Sequence, residues 1–354
     1  MRQGAGLLLA GASLGAAAQD ATSLQLYGLV GAYGARIERS GDPQAVNQVG
    51  HGGLTTSYWG IRGSEGLGDG YKVIFALESF FQTDTGAQGR NVNDPMFSRN
   101  AYVGIEGGFG KFTVGRQTNP TYINMGMVSP FGISVAFSPL VLHSFVASYN
   151  GALVGDTVWN NAIQYATPRT NGFAGNVIYG LGEVAGSSGT ANLGLHANYV
   201  KGAFTAVLSA QRFRIPVTAP LAAQKGYLAG AAYDFKVVKL HGAMVKSQAE
   251  GTLNDTLTRD VGIRIPVTAQ GSVLAEFART KRERAAVADN VRRTFSLGYD
   301  HFLSKRTDIY TVVSFIKNDG LAQYSPGTSG NPGGFTEAPG EDGRALQIGI
   351  RHRF

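Results

Sequence analysis

The chain has no cysteine among its 354 residues, which removes disulfides and thiolate metal sites from consideration. Charge is sparse: Asp, Glu, Lys and Arg together make 16% of residues, with a formal net charge of +7. No Lys/Arg run is dense enough to point to nucleic acid. Beyond the amino end, no segment reaches about 18 uninterrupted apolar residues, which excludes a protein that crosses a membrane on helices. No motif for a cofactor or metal is present. What is plentiful is glycine, at 50 residues, together with 19 Phe and 15 Tyr. That balance suits a chain of tight turns and aromatic bands better than a helical enzyme.

The amino end reads as a secretory signal peptide. Arg2 precedes the apolar stretch Leu7-Leu8-Leu9-Ala10 through Leu14, which closes on Ala16-Ala17-Ala18. The expected division is therefore 1–18 signal peptide and 19–354 a single domain, with no composition break to mark a second one. Cleavage after Ala21 is the alternative.

The carboxy-terminal segment alternates strictly. Leu346, Ile348, Ile350, His352 and Phe354 share one parity, and Gln347, Gly349, Arg351 and Arg353 share the other. A membrane β-barrel explains such a pattern: one face meets lipid, the other meets water, and closure satisfies every backbone group in hydrocarbon.

The rest of the chain divides the same way. Strand-like segments run Ser23–Arg39, Ser57–Glu65, Tyr71–Thr83, Phe97–Glu106, Lys111–Gln117, Asn160–Thr167, Phe173–Leu181 and Asn192–Lys201. They continue as Ala203–Arg214, Gly226–Phe235, Val238–Ser247, Thr258–Val267, Gly271–Arg282, Val291–Asp300, Asp308–Lys317 and Arg344–Phe354. Sixteen is an even number, as bacterial single-chain barrels require. Short turns such as Gly66–Gly70 and Gly107–Gly110 alternate with long connections such as Asp84–Pro95 and Thr118–Trp159. The short ones are expected on the periplasmic side and the long ones outside. The Pro/Gly/Ser-rich stretch Tyr324–Gly340 reads as an external loop. A soluble sandwich or propeller would bury one sheet face on another. Here several strands instead put Lys, Arg or Glu beside small polar residues, opposite an apolar face.

Several motifs together resemble the general porins of Gram-negative beta-proteobacteria. They are Gly60-Ile61-Arg62-Gly63-Ser64-Glu65-Gly66-Leu67-Gly68, Phe97-Ser98-Arg99-Asn100-Ala101-Tyr102-Val103-Gly104 and Gly110-Lys111-Phe112-Thr113-Val114-Gly115-Arg116-Gln117. Leu303-Ser304-Lys305-Arg306-Thr307 and Gly349-Ile350-Arg351-His352-Arg353-Phe354 complete the set. The resemblance implies an all-β, sixteen-stranded transmembrane antiparallel barrel in the outer membrane, assembled as a homotrimer and surrounded by outer-membrane lipid. It implies passive diffusion of small hydrophilic solutes and inorganic anions through a water-filled channel, narrowed by a third external loop folded into the lumen. It also implies that Phe354 is read by the outer-membrane assembly machinery.

Parity assigns the pore wall. Tyr58 and Arg62 point inward from the second segment, Lys72 and Glu78 from the third, and Asn100 from the fourth. Arg116 shares parity with Phe112 and Val114 and points outward unless Gly115 marks a bulge. Two departures from the family pattern stand out. Tyr58 occupies a position that is usually arginine. Between Glu106 and Asp156 there is no Asp or Glu, so the third loop lacks the acidic partner that the family sets against its basic wall. Apolar residues take its place, and Tyr122, Met125, Met127 and Phe131 are the candidates to line the aperture. The others would pack the loop on the wall. The expectation is a net positive, partly apolar constriction that prefers anions. The alternatives are a structural or adhesive barrel without significant conductance and an outer-membrane hydrolase. None of the six histidines lies in a recognisable catalytic motif.

Overall fold

The computed structural model describes residues 22–91, 93–145, 155–186, 189, 191–214, 223–250, 255–283, 291–320 and 340–354. The segment read as a signal peptide and nearly all of Tyr324–Gly340 lie outside the described residues.

The chain builds β1 (Ser23–Arg39), β2 (Val46–His51), β3 (Tyr58–Gly68), β4 (Tyr71–Phe80), β5 (Asn100–Gly107) and β6 (Gly110–Thr118). Two short helices follow, α1 (Pro120–Met127) and α2 (Pro139–Phe145). Then come β7 (Val158–Ala166), β8 (Phe173–Gly180), β9 (Asn192–Lys201), β10 (Phe204–Arg214), β11 (Ala223–Asp234) and β12 (Lys239–Ala249). The last are β13 (Thr256–Pro266), β14 (Gly271–Arg282), β15 (Val291–Phe302), β16 (Thr307–Asn318) and β17 (Gly343–Arg353).

Neighbouring strands pair antiparallel, and the sheet closes where β17 meets β1 from Leu29↔Arg353 to Arg39↔Gly343. Closure leaves no open edge in hydrocarbon, where an unpaired backbone group costs roughly several kcal/mol. The other edge of β1 is shared. Its first part pairs with β3, Ser23↔Ser64 to Leu29↔Tyr58, and its upper part pairs with β2, Ala32↔His51 to Ile37↔Val46. The two strands take one place in the wall, so the barrel is sixteen-stranded although β2 is an additional short element.

Alternation fixes which side chains meet lipid. In β17, Ile348 is 63% exposed while its neighbour Gln347 has no exposed surface. Outward residues are therefore large and apolar, as a lipid face demands, and the lumen-side residues are polar. β5 begins at Asn100 rather than at the expected Phe97, so Ser98 and Arg99 belong to the preceding loop. The β6–β7 register shifts between Gly115 and Gln117, with Gly115 at φ +134° and Asn161 at φ +52°. This is the bulge on which the direction of Arg116 depends.

Candidate functional site: the pore and its third loop

The loop between β6 and β7 carries both helices and lies against the inside of the barrel. Its two ends are pinned together. Asn119 caps α1 by accepting from the Thr121 N–H at 2.9 Å, and its Nδ2 donates to the Asp156 carbonyl at 3.0 Å. Arg90, from the preceding external loop, bridges Asp94 at 2.8 Å and Asp156 at 2.6 Å. Arg116 joins this cluster, donating to the Ser98 carbonyl at 2.9 Å and to Asn160. It braces the root of the loop.

The helices then follow the wall. α1 packs against β9, β10 and β11, with Asn124 Nδ2 donating to Ser209 Oγ at 3.1 Å. α2 packs against β12 to β15. A carboxylate of the wall, Glu276 on β14, accepts from Ser129 Oγ at 2.9 Å, from Ser138 Oγ at 3.0 Å and from the Leu140 N–H at 3.3 Å. His143 sits between Thr280 Oγ1 at 2.6 Å and Thr294 Oγ1 at 2.7 Å. Burial and the nearby Arg292 guanidinium push the His143 imidazole well below its ordinary pKa. Phe137 wedges edge-on between Tyr33 and Tyr310. Close approach needs small wall residues. A Cβ on Gly262 would sit 2.7 Å from Pro130, and one on Gly298 would sit 2.9 Å from Phe131.

This packing decides which loop residues can touch solute. Met125 has no exposed surface, and Tyr122 is buried with it against Val207, Leu228 and Val245. Tyr122 also donates its hydroxyl to the Ile133 carbonyl at 2.6 Å. Phe131 is buried with Phe137, Leu274 and Tyr310. Of the four residues expected at the aperture, these three hold the loop to the wall instead, and only Met127 keeps partial exposure. The cause is helical period: Tyr122 and Met125 share the wall face of α1, which turns Ile123, Gly126 and Met127 the other way. Ile123 is 41% exposed. The free edge of the loop is thus Ile123, Gly126, Met127, Gly132 and Ile133, which carries no charge.

The helices cover β9 to β15, so the uncovered wall runs through β3, β4 and β5. There Arg62 donates to Gln25 Oε1 at 2.7 Å and stacks over the Tyr27 ring at 4.7 Å. It reaches no carboxylate among the described residues. Glu78, by contrast, is buried and occupied. It accepts from the Tyr27 hydroxyl at 2.5 Å and from Asn100, and Arg99 bridges it at 2.5 Å. The Arg99 guanidinium stacks on Tyr58 at 4.3 Å. Arg62, Glu78, Asn100 and Tyr58 therefore form one cluster, completed by Arg99, which strand parity had overlooked. Lys72 is not part of it. It opens β4 opposite Glu106, about 20 Å along the strand from Glu78.

Between the underside of the loop and the short-turn end of the barrel lies a cavity of about 440 Å³. Its wall includes Lys239, His241, Arg264, Asp300 and Arg351. Arg264 reaches Asp300 at 3.6 Å, while Arg351 and Arg353 both reach Asp308 at 3.0 Å. Among the lining residues Lys239, Arg264 and Arg351 outnumber the one carboxylate, Asp300, so this chamber is cationic as well.

A family model described as Gram-negative porin matches residues 5–321. Outer membrane porin protein 32 of Delftia acidovorans is 29% identical over 347 residues, covering 96% of each chain. An outer membrane porin protein of Bordetella pertussis is 26% identical, covering 99% of this chain and 98% of its own. Among solved structures, the anion-selective porin from Comamonas acidovorans superposes with a TM-score of 0.82 at 28% identity, over 94% of this chain and all of that one. OmpT of Vibrio cholerae in its trimer form gives 0.66 at 15% identity, over 95% of this chain and all of that one, a likeness of fold. The chain belongs to the Gram-negative porin family and is an outer-membrane channel protein.

Proposed function

We propose that this porin prefers anions and that its constriction sets a basic wall, Arg62 with Arg99, against an uncharged apolar loop edge. The observation that carries the reading is the free edge from Ile123 to Ile133, which offers no carboxylate to Arg62. A carboxylate about 4 Å from an arginine would offset it by roughly 1 to 4 kcal/mol, depending on the local dielectric. Without it, a passing anion feels the arginine, and the cationic chamber below extends the attraction. The anion-selective character of the Comamonas porin supports the same direction. Apolar contact from Ile123, Met127 and Ile133 adds a preference for anions with an aromatic or aliphatic body.

The same reading takes the working protein as a homotrimer in outer-membrane lipid, with residues 1–18 removed on export and small solutes and inorganic anions as cargo. It assigns no catalysis. Among the described residues the histidines pair with threonine hydroxyls, with Asp84 or with Tyr299, and His241 lines the lower chamber. Planar-bilayer recordings test the proposal through the reversal potential in a salt gradient, with Arg62→Ala and Met127→Asp as variants. Both substitutions reduce the anion preference if the reading is right.

A further inference from the structure

The seat of α1 is set from two directions. Arg90, Asn119 and Asp156 pin its start from the long-loop side of the barrel. A second line of polar side chains reaches the helix from the opposite mouth. Arg169 lies in the short turn between β7 and β8. Its Nη1 donates to the Gly172 carbonyl at 2.5 Å and its Nη2 to Asn198 Oδ1 at 2.5 Å. Asn198 has the inward parity of His196 on β9, and its Nδ2 donates to Asn124 Oδ1 on α1 at 3.4 Å. Asn124 is buried and continues the line, its Nδ2 donating to Ser209 Oγ at 3.1 Å and to the Leu208 carbonyl at 3.3 Å.

The two ends of this line fix its direction. A guanidinium only donates, and a peptide carbonyl only accepts. Between Arg169 and Leu208, both side-chain amides therefore have a single orientation that satisfies every member. Turning Asn198 over sets two donors against each other at Arg169, and turning Asn124 over sets two acceptors against each other at Leu208. The position of Asn124 carries this to the aperture. Ile123 precedes it, and Gly126 and Met127 follow on the pore side of the same helix. The apolar contacts of Tyr122 and Met125 hold α1 to the wall, but such contacts are non-directional and set no register. Hydrogen bonds are directional and do.

We propose that Arg169, on a short turn outside the pore, is a positioning residue for the constriction. Through Asn198 and Asn124 it fixes the register of α1 on the wall, and with it the place of the pore-facing edge. The aperture is thereby coupled to the short-turn mouth of the barrel, whichever ion the channel prefers.

The test exploits the absence of cysteine. Ile123 is 41% exposed on the pore side of α1, so Ile123→Cys in the intact protein in lipid vesicles takes a single nitroxide spin label. The mobile fraction of the label reports how firmly α1 is seated. Arg169→Ala should raise that fraction by about threefold to tenfold, the lower end reflecting a solvent-exposed donor. Arg169→Glu should raise it at least as much, because an acceptor at this position inverts Asn198. Arg169→Lys still donates and should stay near the parent. The deciding comparison is a double-mutant cycle with Asn198→Leu, which breaks the line and changes no charge. Once Asn198 is gone, neither Arg169→Ala nor Arg169→Glu should move the label further. Equal effects of Arg169→Ala in the two backgrounds would overturn the proposal, as would a label that ignores both Arg169→Ala and Asn198→Leu. The cycle is complete with Arg169→Ala alone, so an Arg169→Glu protein that failed to insert would not shelter the idea.

Discussion

Ser138 on the third loop donates its hydroxyl to Glu276 on β14 at 3.0 Å, so here the wall supplies the carboxylate and the loop supplies the donors. The loop is fixed by an acid it does not carry, and its pore-facing edge stays free of charge.

Replacing that acid tests the arrangement. Glu276→Ala removes the acceptor shared by Ser129, Ser138 and the Leu140 N–H; the two hydroxyls, 3.0 Å apart, keep only each other, and each group left unsatisfied costs about 1–3 kcal/mol. The wall hydrogen bonds remain, so the barrel itself should still fold and insert. The loop should loosen, seen as larger open-channel current noise and faster protease cleavage within residues 119–145. Unchanged noise and unchanged cleavage would show that Glu276 does not hold the loop.

Acidification should loosen the same loop through His143. Its imidazole is well below the ordinary value of 6.5 when docked, so the docked state excludes a proton that the released state binds. The contribution is complete above about pH 6.5 and falls as pH drops below it, by about 1.4 kcal/mol per unit until the docked group itself titrates. Current noise should therefore rise from about pH 7.5 to about pH 5, and His143→Gln should flatten that rise. A wild-type channel whose noise ignores pH over this window would contradict the assignment.

Much of this architecture was legible in the sequence, for a physical reason. Lipid on one face and water on the other imprint a period of two, so the wall strands and the inward side of Arg62, Glu78 and Asn100 could be read residue by residue. β2 was missed because Val46–His51 is a short, polar piece that pairs only on the upper part of β1. Arg99 was missed because parity was carried back from Val103 to a residue that precedes the strand, where alternation no longer applies. The aperture residues were misread for a different reason. Inside the loop the period is helical, and a helix of eight residues that starts on Pro120 and contains Gly126 looks like irregular chain. Tyr122 and Met125 then go to the wall, and Ile123 goes to the pore.

The two wall cations should differ sharply in their effect on selectivity. Arg99→Ala removes the partner of Glu78 and leaves that carboxylate beside Arg62, so anion preference should fall strongly. Lys72→Ala acts about 20 Å away along the strand, beyond the Debye length of about 8 Å at physiological salt, and should change it little. Permeability ratios for the two variants check this, and equal effects would place the selective field elsewhere.

Phe354 continues the closing seam beyond β17, exchanging backbone hydrogen bonds of 3.1 Å in both directions with Gly28. Its ring also stands 2.6 Å from where a Gly28 Cβ would be. Deleting Phe354 should reduce the amount inserted in competition with the unaltered protein while synthesis and export continue. Insertion at parity would remove both the seam argument and the proposed role in assembly.

The central claim is that an uncharged loop edge leaves Arg62 without a compensating carboxylate, and the reversal potential of the wild-type channel under a potassium chloride gradient addresses it most directly. The account predicts a potential of the sign that marks chloride as the more permeant ion, moved toward zero or beyond by Met127→Asp. A cation-preferring wild type, or a Met127→Asp channel with an unchanged potential, would contradict it.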